Sequence, residues 1–406
     1  MHIYHLARFR AWLAIACLTL LLNSISAQVA EMDLSAWKQS GRLTILTTPD
    51  GANLPAEAKV ENFPLLVRLD RDWFDFSQAQ HEGQDVRFSL DGKILAHQIE
   101  QWDPLIGTAS IWVRVPEIRG NARLLLDMHW GNADAPAVSD GKKVFNAAND
   151  FLSVWHLGDD IADTTGTLTT QDQGTVATAG VIGKGRQFSA GAHLSCGKQI
   201  THYPTGNAPH TTELWFRTTK SNVNLIGWGN QQRQGKVVMQ FRGPPHVSLD
   251  CWFSDGNVKS QGLLAFDQWH HAVFAYESGN AKIYLNGELA GQAGRGTPLD
   301  VPNPAMLTIG GWSGENNFIG ALDEVRVSKI TRSADWIKLQ YQNQKPLQTV
   351  VGPLIRKGGK FSVPAETVTV KEGEPFALSI QADGAQKLYW YLRDQGPERL
   401  VAVDRY

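Results

Sequence analysis

Three cysteines in 406 residues, Cys17, Cys196 and Cys251, are too few for a disulfide-stapled miniature scaffold. Charge of one sign is lacking too: 38 Lys and Arg stand against 40 Asp and Glu, a net charge of -2. No global field therefore attracts nucleic acid or an anionic membrane, and no basic tract supplies one locally. Past the N-terminus no segment is apolar enough to cross a bilayer. Neither an internal repeat nor a low-complexity tract occurs, and 335–341 is the single stretch that reads as a helix. Catalytic signatures are equally scarce. No Glu-x-Asp-x-x-Glu occurs, no Gly-x-Ser-x-Gly elbow occurs, and "GKGRQ" lacks the rest of a phosphate loop.

What is present is β-rich composition, with 38 glycines and 14 tryptophans among many Thr, Val and Asn. The length allows two to three domains. At the N-terminus His5, Arg8 and Arg10 precede an apolar run from Ala11 to Leu22, and "NSISA" ends in small residues at Ala27. This reads as a secretory signal peptide over 1–27, followed by an exported chain whose setting is periplasmic, cell-envelope or secreted. Leucine-rich sequence continues past Cys17, which argues against lipidation there. Only Cys196 and Cys251 remain after cleavage. Paired, they would close a loop of about 55 residues and contribute at most about 4 kcal/mol; unpaired, they would be buried thiols in facing strands.

A first unit spans 36–148. In "ASIWVRVPEI" the side chains Ile111, Val113 and Val115 point one way, and Trp112 and Arg114 the other. Short strands separated by polar turns predict an antiparallel sandwich. A second unit, 150–353, runs from "SVWHLGDDIADTTG" through "TTELWFRTT", where Leu214 and Phe216 share a face. It reads as a second β-sandwich. A third segment, 361–406, carries Trp390 between tyrosines and resembles the first half of an immunoglobulin-like sandwich.

"WHHAVFAYESGNAKIYLNGELAG" places His270 and His271 side by side before Asn286-Gly287. Neighbours on a strand face apart, so the pair cannot easily share one metal. One histidine is expected in the core and one at the surface. Asn-Gly suits a two-residue turn with positive φ at both positions. The stretch is a hairpin.

With "LTIGGW" and "FIGALDEVRVSKITRSADWI", the same phrase resembles the end of a laminin-G-like, concanavalin A-like jelly-roll module. "VWHLGDDIADTTG" and "VIGKGRQFSAG" resemble its start. Ahead of it, "FPLLVRLDRDWFDF", "IWVRVPEI" and "MHWGNADA" resemble a bacterial domain of unknown function that often precedes such modules. The resemblance implies an all-β chain of two consecutive antiparallel sandwiches plus a partial immunoglobulin-like segment, in a bacterial cell-envelope or secreted protein. Such modules often bind calcium, which points to Asp163 and Asp323, although Thr167 stands where the family carries an Asn. Calcium takes six to eight oxygens, so loop carbonyls and water would complete the shell.

Carbohydrate binding needs aromatic platforms beside hydrogen-bonding groups. Trp228, Trp252 and Trp312 lie next to Asn, Asp or Gly-rich turns and are the candidates. Adjacent Asp323 and Glu324 face apart on a regular strand, which opposes a glycosidase pair. The reading is an exported, non-catalytic recognition protein whose partner is a polysaccharide or glycoprotein, without nucleic acid or membrane insertion. Two alternatives stand beside it. One is the periplasmic portion of a larger transport protein of the biopolymer proton-channel type; the other is a jelly-roll glycosidase using a carboxylate such as Glu324.

Overall fold

The computed structural model describes residues 33–243, 245–250, 258–293, 299–314 and 316–356. Beyond these it describes the short strands Phe361–Ser362, Gln381–Ala382, Lys387–Leu392 and Arg399–Arg405, with a few single residues. The expected signal segment, Cys251, Trp252 and most of the expected immunoglobulin-like segment lie outside the described residues. Within that last segment two antiparallel ladders are described, one between the first two of these strands and one between the last two. No described helix is long and apolar enough to cross a membrane.

Strand is the dominant element, as the turn-punctuated sequence predicts. The first sandwich pairs a five-stranded sheet with a three-stranded one. In the larger sheet Arg123–Trp130 is central, between Gln39–Leu46 and Arg87–Leu90, with the short Ile355–Arg356 beyond the former and Lys93–Leu95 beyond the latter. Asp91 and Gly92, both at positive φ, turn this last hairpin in two residues. The smaller sheet holds Thr108–Arg119 between Lys59–Asp70 and His97–Asp103. Leu43, Ile45, Phe63, Phe88, Met128 and Trp130 are buried in its core.

The second sandwich is the expected jelly roll. Its eight-stranded sheet runs Val176–Ala179, Lys184–Phe188, Gly320–Ser328, His210–Arg217, His270–Glu277, Asn280–Leu285 and Glu288–Ala293, with Phe151–Trp155 also paired to Gly320–Ser328. The facing six-stranded sheet runs His246–Asp250, Lys236–Arg242, Val223–Gly229, Ala305–Ile309, His193–Ile200 and Gln171–Gln173. Leu214, Phe216, Phe274, Leu322, Val325, Trp228, Ile226 and Ile309 are buried between them. Asn286 and Gly287 both take positive φ and join two strands whose ends Leu285 and Glu288 pair, so the hairpin forms as its sequence demands.

The chain then returns to where it began. The helix Ala334–Gln344, capped by Ser333 accepting from the Trp336 amide, runs past the predicted 335–341 and packs on the first sandwich. Trp336 meets Phe63 edge-on at 5.1 Å. Asn343 Oδ1 accepts from the Leu66 amide at 2.7 Å, and its Nδ2 donates to the Leu66 carbonyl at 2.9 Å. One side-chain amide thus takes the place of a neighbouring strand along the free edge of Lys59–Asp70. Arg68 donates to the Asn343 and Gln344 carbonyls and satisfies the end of the helix. After it the Leu46 amide donates to the Val350 carbonyl at 2.7 Å, and Ile355–Arg356 joins Gln39–Leu46. The end of the expected 150–353 unit therefore belongs to the first sheet.

These contacts leave the outer face of the eight-stranded sheet covered by the three-stranded sheet and the helix. Two expectations change as a result. Trp112, expected opposite Ile111 and Val113, does face the other way, yet all three are 0 % exposed because both sides of its sheet are buried. His270 and His271 are likewise both buried, at 6 % and 1 %. His270 Nε2 bonds the Ala265 carbonyl at 2.8 Å, whereas His271 lies against Trp215 and Tyr341 with neither ring nitrogen partnered. Cys196 is a buried free thiol in the inter-sheet core, where burial pushes its pKa up, and its candidate partner Cys251 lies outside the described residues.

Candidate functional site

The strand Gly320–Ser328 organises a charged interior between the two sandwiches. Leu322, Val325 and Val327 point into the jelly-roll core. Alternation would send Asp323 out and Glu324 in, but Glu324 has φ +50° and the ladder with His210–Arg217 slips between Glu213 and Trp215. An extra residue in one strand is a β-bulge. It places Asp323 and Glu324 on the same outer side, correcting the expectation that they face apart. Asp323 Oδ2 accepts from the Val181 and Ile182 amides at 2.7 and 3.0 Å, and its Oδ1 is buried without a partner. Glu324 Oε1 meets His156 Nδ1 at 2.7 Å, while its Oε2 accepts from Arg326 Nη2 at 2.5 Å.

The first sandwich completes this interior. Glu100, on His97–Asp103, brings Oε2 within 3.5 Å of His156 Nδ1 and accepts from Trp112 Nε1 at 2.5 Å. Trp112 stacks on the His156 ring, and the Arg326 guanidinium lies 4.5 Å from the Trp112 ring centre. Glu213 and Gln340 extend the network from the neighbouring strand and the helix. Burial drives the Glu100 pKa up to about 8 against the opposing pull of His156. Burial also disfavours charge on Glu324, yet His156 and Arg326 outweigh it and hold its pKa below the usual value. For His156 burial is likewise overcome, by the charges of Glu324 and Glu100, and its pKa is raised. Burial and then the Glu324 charge push Asp323 well above the usual range. A cleft of about 470 Å³ reaches this interior past Gln98, Glu100, His156, Asp159 and Lys184.

The six-stranded sheet is different on its outer side. A groove of about 370 Å³ crosses Gln171–Gln173, His193–Ile200 and Ala305–Ile309, lined by Gln171, Gln173, His193, Ser195, Lys198, Thr308 and Asn317 with Trp312 at one wall. Alternation explains the lining: Leu194 and Cys196 face the core, so His193 and Ser195 face the groove. A Cβ on Gly227 would stand 2.4 Å from the Trp312 ring, so glycine there is what lets the indole lie on the sheet. Among the described residues the groove has no carboxylate lining.

The structure separates the residues singled out from sequence. Trp228 is 0 % exposed in the inter-sheet core, its indole N–H donating to Thr212 Oγ1 at 3.0 Å, so it offers no platform. Trp312 lines the groove but is only 3 % exposed and bonded to Gln231 Oε1, so it offers no open platform. Trp252 lies outside the described residues. Asp163 is saturated: Oδ1 accepts from the Val154 and Thr165 amides, and Oδ2 from the Thr167 and Leu168 amides, with both Thr165 and Thr167 hydroxyls adding bonds. No lone pair remains for calcium, and Thr167, placed where the family carries Asn, is one of the groups that fills the carboxylate. Asp323 is engaged by backbone amides of a different loop. Glu100, His156 and Arg326 were invisible as a group, because no local spacing joins three elements this distant in sequence.

Two family models match the chain. Residues 188–338 match the Concanavalin A-like lectin/glucanases superfamily, and residues 82–157 match a Domain of unknown function (DUF2341). The chain therefore carries a concanavalin A-like domain preceded by that second domain. The latter match extends through Phe151–Trp155, the strand that the structure lends to the jelly-roll sheet. No curated protein matches in sequence. Among solved structures, domain 4 of AbnA, a GH43 extracellular arabinanase from Geobacillus stearothermophilus in complex with arabinotriose, is 15 % identical. It covers 47 % of this chain and 98 % of that one at a TM-score of 0.40. A SAP-like pentraxin from Limulus polyphemus is 12 % identical, covering 47 % and 81 % at 0.30. The Botulinum neurotoxin serotype D binding domain is 13 % identical, and this chain covers 51 % of it for 48 % of its own length at 0.40.

Proposed function

We propose that this is an exported, non-catalytic recognition protein that binds a polysaccharide, or the glycan of a glycoprotein, in the groove on the open face of the six-stranded sheet. The observation that carries the reading is the groove's lining: side-chain amides, hydroxyls, an imidazole and one ammonium beside Trp312. Sugar rings present hydroxyl rims, and this set of donors and acceptors suits them. Glycoside hydrolysis needs an acid and a base flanking the bond, and no described groove residue is either carboxylate. Export rests on the N-terminal sequence, with its basic residues, apolar run and small residues at Ala27.

The test is a broad glycan and polysaccharide panel probed with the purified chain, in calcium and in chelator. Saturable binding is expected in both, because Asp163 has no free lone pair to give calcium. The combined change Gln171→Ala with His193→Ala should weaken it at least tenfold without altering the melting temperature. Binding that survives this change unaltered would remove the groove from the role, and failure to bind any glycan would remove the function.

A further inference from the structure

We propose that Glu100, His156 and Glu324 form a site for one divalent cation of the zinc class, which pins the two sandwiches together. The three side chains come from separate elements, two of the jelly roll and one of the first sandwich. Their ligating atoms all lie within 4.8 Å of one another, with His156 Nδ1 at 2.7 Å from Glu324 Oε1 and 3.5 Å from Glu100 Oε2. Four-coordinate zinc with bonds of about 2.0–2.2 Å holds neighbouring ligand atoms about 3.3 Å apart. The observed separations bracket that value.

The surroundings favour a cation at this point. His156 Nε2 stands 3.3 Å from Gln98 Oε1, so a ring proton on Nε2 has an acceptor there and Nδ1, facing the two carboxylates, is the nitrogen that would ligate a metal. Two carboxyl groups and an imidazole nitrogen converging in a buried space call for a positive centre among them, either a proton or a metal ion. Trp112 holds the Glu100 carboxylate and Arg326 holds that of Glu324, the outer partners that fix ligands in place. Independently, Asp323 is 0 % exposed beside Glu324, on the same side of the bulged strand, with its Oδ1 lacking any partner. Gln98, Glu100 and His156 line the cleft, which gives an ion a route in. An imidazole with carboxylates suits zinc or manganese, whereas calcium takes six to eight oxygens.

A proton on His156 Nδ1 is the competing occupant, since it would satisfy the Glu324 contact alone. Calorimetric titration of the chelator-stripped, dialysed chain with zinc chloride separates the two. One zinc ion per chain is expected, bound at least tenfold more tightly than calcium. Glu100→Gln and His156→Gln should each weaken it at least tenfold, while Asp159→Asn at the cleft rim should change it less than twofold. X-ray absorption at the zinc edge of the unaltered chain should show nitrogen and oxygen neighbours including imidazole, a readout that needs no variant to fold. The site is overturned if the unaltered chain takes up no stoichiometric zinc, if the absorption spectrum lacks imidazole, or if both folded variants bind as tightly as the parent. None of these outcomes bears on the glycan groove, which lies on the other sheet.

Discussion

The two outer faces of the jelly roll are built by one sandwich and have opposite fates. On the six-stranded side, alternation runs as a half-solvated sheet should: core residues alternate with polar ones that line a groove. On the eight-stranded side the outward set includes Asp323, Glu324, Arg326, Glu213 and His271, all at most 3 % exposed. Charged residues are buried there because they answer one another, and because Trp112, Trp336 and the helix exclude water from them. The lesson is that outward-facing and solvent-facing are separate properties of a strand. Only the tertiary cover decides which applies.

That comparison can be broken most severely at Arg326. Replacing it by leucine leaves Glu324 and Glu213 without their buried cation, and urea unfolding should show a loss of about 3–5 kcal/mol; a loss below 1 kcal/mol would mean that the covered charges are not paired as described. Acid tests both interiors next. Burial lowers His210, in the inter-sheet core, to a pKa of about 4, and lowers His271, under the helix, to about 3, from an ordinary value near 6.5. The unfolded chain therefore binds protons below pH 6.5 that the folded chain refuses, so stability falls as pH drops from 6.5 toward 4. The two rings contribute a loss of at least about 2 kcal/mol over that window, opposed by the raised carboxyl groups of Glu100 and Asp323. The test is therefore the difference that His271→Phe makes: it should remove its share of the acid destabilisation. A His271→Phe variant whose stability falls with acid as steeply as the parent's would contradict the buried neutral ring.

Smaller effects sharpen the contrast. Asn343→Ala removes both bonds to the Leu66 backbone on the covered side and should cost about 1–3 kcal/mol by thermal or urea melting. On the open side, Lys198→Ala should stay within about 0.5 kcal/mol of the parent. Equal costs at these two positions would erase the distinction between the faces.

Much of the fold was legible because it rests on local chemistry. Asn286-Gly287 can hardly be anything but a tight turn, and the alternation through Leu214 and Phe216 correctly assigns their shared inner face. The site was far less legible. Reading Asp323 and Glu324 as opposed assumes unbroken alternation, and the bulge that overturns it depends on pairing with Glu213 and Trp215 more than 100 positions away. His156 and Glu324 are 168 positions apart, too distant for any motif. Trp228 sits beside glycine and asparagine that suggest a loop, yet its strand is central, and a large indole in a central strand fills the core. Composition near a tryptophan says little about which side of the sheet it occupies.

The return of the chain to its starting sheet has a mechanical consequence. Gln39–Leu46 and Ile355–Arg356 are antiparallel neighbours, with Gly41 opposite Arg356 and Ile45 opposite Val351. Tension between the segments before residue 39 and after residue 356 enters and leaves at the same end of this ladder. It therefore peels the pairs apart one after another instead of shearing them together. The jelly roll lies outside the loaded path until that short ladder has opened, so a pull along the chain releases the fastening strand while the groove and the charged interior keep their shape.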